Sequence, residues 1–243
     1  MGTEPGADDA CAPFAGVWAE ATEQNLWNEL LERRLVRTLL PAELAGARVL
    51  DAGCAAGAHA AWLAERGCEV IAIEVSPAMI QAARARYADV AAFQVADFGR
   101  PLEFPDRSFD GILSSLALHH LRDIEASMSE FARLLRAAGW LIVTLDHPAS
   151  LYGGQPRPDY FATERITQTW CHGGVASEVS FWRRPLSAVV DAFADSGFLI
   201  ERIQEARLDE EARERFPAES PPVEGSPTFI AYQAVLDPRR NPT

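Results

Sequence analysis

At 243 residues, 48% of them hydrophobic and 23% charged, the chain can bury the core of one large α/β domain. Its 35 acidic against 22 basic residues leave a formal charge of −13, and such a surface repels the phosphate backbones and anionic membranes that basic patches bind. The expected partner is a small-molecule substrate, with no nucleic acid and no membrane; oligomeric state stays open.

No apolar run approaches the roughly 20 residues needed to cross a bilayer, and MGTEPGADDA lacks the basic and apolar regions of a signal peptide, so a cytoplasmic location is expected. Gly6 stands where a myristoylation signal wants Ser or Thr. The four cysteines (Cys11, Cys54, Cys68, Cys171) form no CxxC pair and read as free thiols. A zinc site built on Cys171 and His172 lacks two further ligands nearby, and no metal is expected.

Residues 1–13 carry Gly, Pro and acids without periodicity and read as a disordered lead to a single domain over 14–243. From Thr22 to Leu40, Leu26, Leu30, Leu31, Leu35 and Leu39 recur at helical spacing until Pro41, making residues 14–41 an N-terminal helical cap. Then a rhythm begins. RVLDAG reads as a buried strand and AHAAWLAERG as a helix stopped by Gly67. CEVIAIEV is the next strand, and SPAMIQAARARY a helix with Ser76 as N-cap and Pro77 at its first position. AAFQVAD and SFDGILSS are the third and fourth strands. A helix from roughly Asp123 to Arg136 places Ile124, Met128, Phe131, Leu134 and Leu135 on one face, and GWLIVTLD is the fifth strand. Alternating strands and helices with short turns imply a doubly wound, Rossmann-like α/β domain with parallel strands.

After Asp146 the rhythm stops. Residues 147–184 hold Tyr152, Tyr160, Phe161, Trp170, Phe181 and Trp182 without clear periodicity, and are expected to form an inserted substrate lid. RPLSAVVDAFADSGF then reads as a helix, FLIERIQEA and TFIAYQAVL as closing strands, and the charged, Pro-rich stretch between them as a surface loop.

The first strand–helix turn is Asp51-Ala52-Gly53-Cys54-Ala55-Ala56-Gly57, with Glu74 ending the second strand and Asp97 the third. As a dinucleotide fingerprint the turn lacks its second glycine, the one that admits a pyrophosphate. Asp51 also suits a cationic amino-acid group better than a phosphate. These motifs, with VADF, FDGILSSLALHHL and LLRAAGWLIVTLDHP, resemble in order and spacing those of class I S-adenosylmethionine-dependent methyltransferases, the type 11 or UbiE-like subgroup. The resemblance covers about residues 45–148 strongly and continues more weakly to the C-terminus. It implies a seven-stranded methyltransferase fold and S-adenosylmethionine as cofactor. By position it assigns Asp51, Gly53, Ala55 and Gly57 to the methionine moiety, and Glu74 to the ribose, with Val75 and Met79 flanking the adenosine. Asp97 and Phe98 fall at the adenine, and Ser115 and Leu116 beneath the cofactor. Ala55 departs from the family, which usually has glycine there.

The implied reaction is methyl transfer to an O, N or C atom of a small metabolite, possible acceptors including a secondary metabolite or a quinone-like compound. Of the histidines after strands four and five, His120 and His147 are the candidate catalytic bases, with His119 expected to pack. Arg183 and Arg184 are read as holding a helix start rather than binding a substrate carboxylate. Competing readings are a protein that uses the cofactor for another reaction, a nicotinamide oxidoreductase, and a non-catalytic binding module.

Overall fold

The computed structural model describes residues 24–150, 159–172 and 175–239. The expectations for residues 1–13, Cys11 and Tyr152, and the side chains of Cys171 and His172, lie outside the described residues.

Seven strands form one sheet: β1 (Arg48–Ala52), β2 (Glu69–Glu74), β3 (Ala92–Val95), β4 (Phe109–Ser115), β5 (Leu135–Asp146), β8 (Phe198–Glu205) and β9 (Phe229–Leu236). Their order is β3-β2-β1-β4-β5-β9-β8, with β9 antiparallel to both neighbours and the other pairs parallel. This is the expected doubly wound α/β sheet, with its two terminal strands closing one edge. Among the described residues no helix is long and apolar enough to cross a membrane.

Strand side chains alternate between two faces, and each face has its own core. Val49, Val70, Leu113 and Ile142 pack under α1 (Arg33–Leu39), α2 (Ala58–Ala64) and α3 (Pro77–Tyr87). Leu50, Ile71, Ile112 and Leu141 pack with α4 (Glu125–Leu134) and α5 (Leu186–Asp195) on the other face. Near-continuous apolar strands are what a sheet covered on both sides requires.

Four features differ from the sequence reading. The N-terminal helix opens with a π-helical stretch, Leu26–Glu32, whose N-cap Asn25 accepts from the Asn28 N–H. The helix after β4 stops at Leu134, and Leu135 already belongs to β5. The expected surface loop contains a short helix, α6 (Glu210–Arg215), capped by Asp209, and Arg34 binds both Asp209 and Glu211. Residues 147–184 contain an antiparallel hairpin, β6 (Glu164–His172) and β7 (Val175–Arg183). Its signal was a period of two, with Val175, Val179 and Phe181 alternating after Gly173-Gly174, masked by a polar partner strand.

The open end of the hairpin is closed by a fully buried cation, Arg183. Arg183 lies directly across the ladder from Glu164, bonds its Oε1 at 2.7 Å and donates to the carbonyls of Asp159 and Tyr160. Arg184 donates to the carbonyls of Leu121 and Arg122, tying the hairpin to the segment after β4. Both arginines therefore serve architecture. Replacing Arg183 with Ala leaves these acceptors unpaired and is expected to lower stability by about 2–3 kcal/mol, measured by denaturant titration; a change under half that size would mean water replaces the guanidinium.

Candidate functional site

The strand order reverses between β1 and β4, and in open α/β sheets ligands bind outside the carboxyl ends of the strands at that point. The turn leaving β1 is shaped for close packing. Gly53 has φ +87°, and a Cβ there would fall 2.4 Å from the Ala117 Cβ. Gly57, at φ +86°, caps α2 and would drive a Cβ to 2.8 Å from the Phe93 ring. Ala55 also adopts a positive φ, +45°, which costs an L-residue about 1–2 kcal/mol. The alanine therefore preserves the glycine-type backbone that the turn needs. Its N–H donates to Glu74 Oε2 at 3.1 Å, while Glu74 Oε1 accepts the Ser76 N–H at 3.0 Å. Glu74 thus pins the turn to the start of α3.

Strand parity gathers the polar residues. Asp51 of β1, Glu74 of β2, Ser115 of β4 and Thr144 of β5 share the face under α1 and α2, at the C-terminal ends of their strands. Asp51 is 1% exposed, and neither carboxylate oxygen has a hydrogen bond of normal geometry. Burial, reinforced by the charges of Glu32 and Glu74 and opposed by His59, pushes its pKa up to about 6. The Ala60 amide contributes a weak opposing pull from the start of α2, outside normal bonding geometry. Above it sits Glu32, 2% exposed, at the end of the π-helical stretch. Its Oε1 accepts from Ser115 Oγ at 2.6 Å and Thr144 Oγ1 at 3.0 Å, and its Oε2 lies 3.0 Å from His59 Nε2. Burial opposes ionisation of Glu32, yet His59 and the two hydroxyls prevail and lower its pKa.

Glu32, His59 and Thr144 were not found from sequence. The available signal was an acid at position 32 between Leu31 and Leu35, on the face of the helix that the leucines mark as buried.

The remaining predicted cofactor residues line the same edge. Met79 is buried against Ala56 of the turn, with Val75 partly buried just before α3. Asp97 follows β3 and accepts the Gly99 N–H at 2.9 Å, and Phe98 packs on Phe131 with its ring edge close to Gly53. Leu116 adopts φ +47°, held by hydrogen bonds from its N–H to the carbonyl and hydroxyl oxygens of Thr144. Two non-glycine residues with positive φ, Ala55 and Leu116, thus flank one crevice, and strained backbone of this kind gathers where a site is over-determined.

On the opposite face a second recess is lined by His119, Asp146, Phe181, Trp182, Ile230 and Tyr232, among others. His119 Nδ1 and Asp146 Oδ2 stand 3.2 Å apart without hydrogen-bond alignment, an ion-pair contact when the imidazole is protonated. The Tyr232 hydroxyl is buried and has no hydrogen-bond partner.

The two histidines expected as bases each make side-chain contacts of their own. His120 points its Nδ1 to the Ser180 carbonyl at 3.3 Å, and burial together with the neighbouring His119 pushes its pKa down to about 3. It remains neutral and ties the segment after β4 to β7. His147 accepts the Ala149 N–H at Nδ1 and pairs its Nε2 with Glu205 at 3.0 Å, so one ring nitrogen is committed to the turn after β5 and the other to the end of β8. His119, expected to pack, is buried against Phe181 and also lines the recess. Among the described residues no cluster of His, Cys, Asp and Glu is arranged to hold a metal.

Residues 50–143 match a family described as a methyltransferase domain. A demethylmenaquinone methyltransferase of Tropheryma whipplei is 36% identical over 105 residues, which cover 43% of this chain and 44% of that relative, so the similarity spans less than half its length. Two solved structures are similar in fold. One is an S-adenosylmethionine dependent methyltransferase from Mesorhizobium loti, with TM-score 0.71 and 24% identity over 88% of this chain and 99% of that one. The other is a Burkholderia thailandensis 1,6-didemethyltoxoflavin-N1-methyltransferase with bound S-adenosylhomocysteine, with TM-score 0.59 and 16% identity over 98% and 93%.

A carboxylate whose pKa is raised on folding binds protons more tightly in the folded state, so stability falls as pH rises from about 4 through 6. The shift from 3.8 to about 6 corresponds to about 3 kcal/mol lost at pH 8 and about half of that at pH 5. Asp51→Asn should therefore raise the melting temperature at pH 8, with a smaller gain at pH 5. Equal gains at both values would contradict an ionised, unpaired Asp51.

Proposed function

We propose that this chain, a class I S-adenosylmethionine-dependent methyltransferase of the type 11 family over its matched residues 50–143, moves a methyl group to a small molecule held in the recess beneath the β6–β7 hairpin. The observation that carries the reading is Asp51, a buried carboxylate without a partner in the first strand–helix turn. Such a group is tolerated where a ligand brings the missing charge. S-adenosylmethionine ends in a cationic α-amino group, which suits Asp51; a nicotinamide dinucleotide would bring a pyrophosphate against it. The formal charge of −13 likewise favours a small acceptor over a nucleic acid.

Asp51 and the turn Gly53–Gly57 would hold the amino-acid end, with Ser115 and Leu116 beneath it. Glu74 is the ribose acceptor, already fixed by two amide donors. Val75, Met79, Asp97 and Phe98 form the adenine side. When bound, the cofactor supplies a methyl group activated by a sulfonium. The chain's own task is to align the acceptor, exclude water and accept a proton where the acceptor loses one.

We assign that proton to His119, oriented by Asp146, in a recess whose aromatic walls are Phe181 and Trp182. Catalytic pairs are often loosely aligned before substrate binds, which fits the contact here. The hairpin serves as the lid, clamped by Arg183 and Arg184. The recess encloses only about 20 Å³ and must open to admit an acceptor, for which aromatic walls favour a quinone-like or other flat conjugated compound.

Calorimetric titration with S-adenosylhomocysteine, using NADH as control, tests the cofactor: micromolar binding of the first alone is expected. Glu74→Ala should weaken that binding by about 1–3 kcal/mol; an unchanged affinity would remove Glu74 from the ribose. With any acceptor found by screening phenols, amines and quinols for methyl transfer, His119→Asn should lower kcat by roughly 10²- to 10⁴-fold while His147→Asn lowers it little. The reverse ranking would return the base to His147.

A further inference from the structure

The acidic group above β1, β4 and β5 is richer than recognition of an amino-acid tail requires. Glu32 comes from the N-terminal helix, outside the turn that the methyltransferase motifs describe. It is fully buried, ionised, and held by three donors drawn from β4, β5 and α2. The π-helical stretch ending at Glu32 is an uncommon geometry, frequent at functional sites. Leu26, Leu30, Leu31 and Leu35 are buried around it, so the acid is fixed over the strand ends rather than reaching in from solvent.

The negative potential is felt throughout the turn. Asp51 is surrounded by two further carboxylates, Glu32 and Glu74, against one imidazole, His59. The Cys54 thiol is pushed far up, by burial first and then by Asp51 and Glu74. Asp51 itself is the unpartnered, buried group that points to a cationic ligand. Three carboxylates, Glu32, Asp51 and Glu74, thus stand against one imidazole, and a zwitterionic amino-acid tail brings no net charge to offset them.

We propose that Glu32 and Asp51 form a charge filter that holds the sulfonium form of the cofactor in preference to its thioether product. This rests on the cofactor reading above. In the transfer, the acceptor's electron pair forms the new bond to the methyl carbon, the sulfur–methyl pair returns to sulfur, and the acceptor's proton leaves to a base. The ligand thereby loses one positive charge while the filter keeps its own. The product is held less tightly than the reactant, and its release clears the site for the next cofactor.

The test compares four ligands by calorimetry on the full chain: S-adenosylmethionine, sinefungin (an ammonium at the sulfonium position), S-adenosylhomocysteine (a neutral thioether) and 5′-methylthioadenosine (no amino-acid end). The wild-type chain should bind the first two on the order of five- to tenfold tighter than S-adenosylhomocysteine, as one charge in a partly screened site implies. Glu32→Gln should bring that ratio to about one while moving the 5′-methylthioadenosine affinity by less than about twofold. A purely structural role for Glu32 would weaken all four ligands together and leave the ratio intact, which overturns the proposal. Should Glu32→Gln fail to fold, the wild-type ratio decides alone, and equal or tighter binding of S-adenosylhomocysteine refutes the filter. Loss of all binding by the wild-type chain would instead overturn the cofactor reading itself.

Discussion

A carboxylate sits in the interior at the end of β1 with no hydrogen bond of normal geometry, and much of the surrounding structure can be understood as holding it there. Asp51 is carried on the central parallel strand, so the sheet cannot yield to bring it to water. The turn that follows has no room to move either: a Cβ at Gly53 would strike Ala117, and the amide of Ala55 is fixed by Glu74. Isolated buried charges are expensive. This one stands at the strand reversal point, the usual place for a ligand in such sheets, where the proposed cation would offset it.

The two faces of the sheet divide the labour. Beneath α1 and α2 lie Asp51, Glu74, Ser115 and Thr144, an acidic row closed from above by Glu32. Beneath the hairpin lie His119, Asp146 and Tyr232 among aromatic and aliphatic side chains. The segment from Ser115 to His120 joins the two. It begins with a hydroxyl bonded to Glu32 and passes through the strained Leu116. It ends with His119 against Asp146 and His120 against β7. A displacement of the N-terminal helix would thus reach the recess through a few covalently connected residues.

The sheet, and the strand ends proposed to carry the cofactor, were legible in the sequence because each depends on local signals. Buried strands read as short apolar runs, Ser76 and Pro77 announce α3, and Asp51 and Glu74 stand at strand ends that topology brings together. The hairpin was missed because a strand such as Glu164–His172 carries polar residues on its exposed side and too few apolar ones on the other. Glu32 was missed because a buried acid on a leucine-rich helix is meaningful only once its partners, 27, 83 and 112 residues away, are known. The choice among histidines was not legible for the same reason. Whether His119 or His120 faces inward depends on a single 3₁₀ turn, Leu118–His120, and on where the hairpin lands.

The most direct test of Asp51 as the cation receptor is the proton balance of cofactor binding at pH 6, read from calorimetric titrations of S-adenosylmethionine in two buffers of different ionisation enthalpy. Half-protonated Asp51 must give up its proton to bind a cation, so release of roughly half a proton per site is expected, vanishing in Asp51→Asn. Binding with no proton release, or with the same release in the variant, would contradict it.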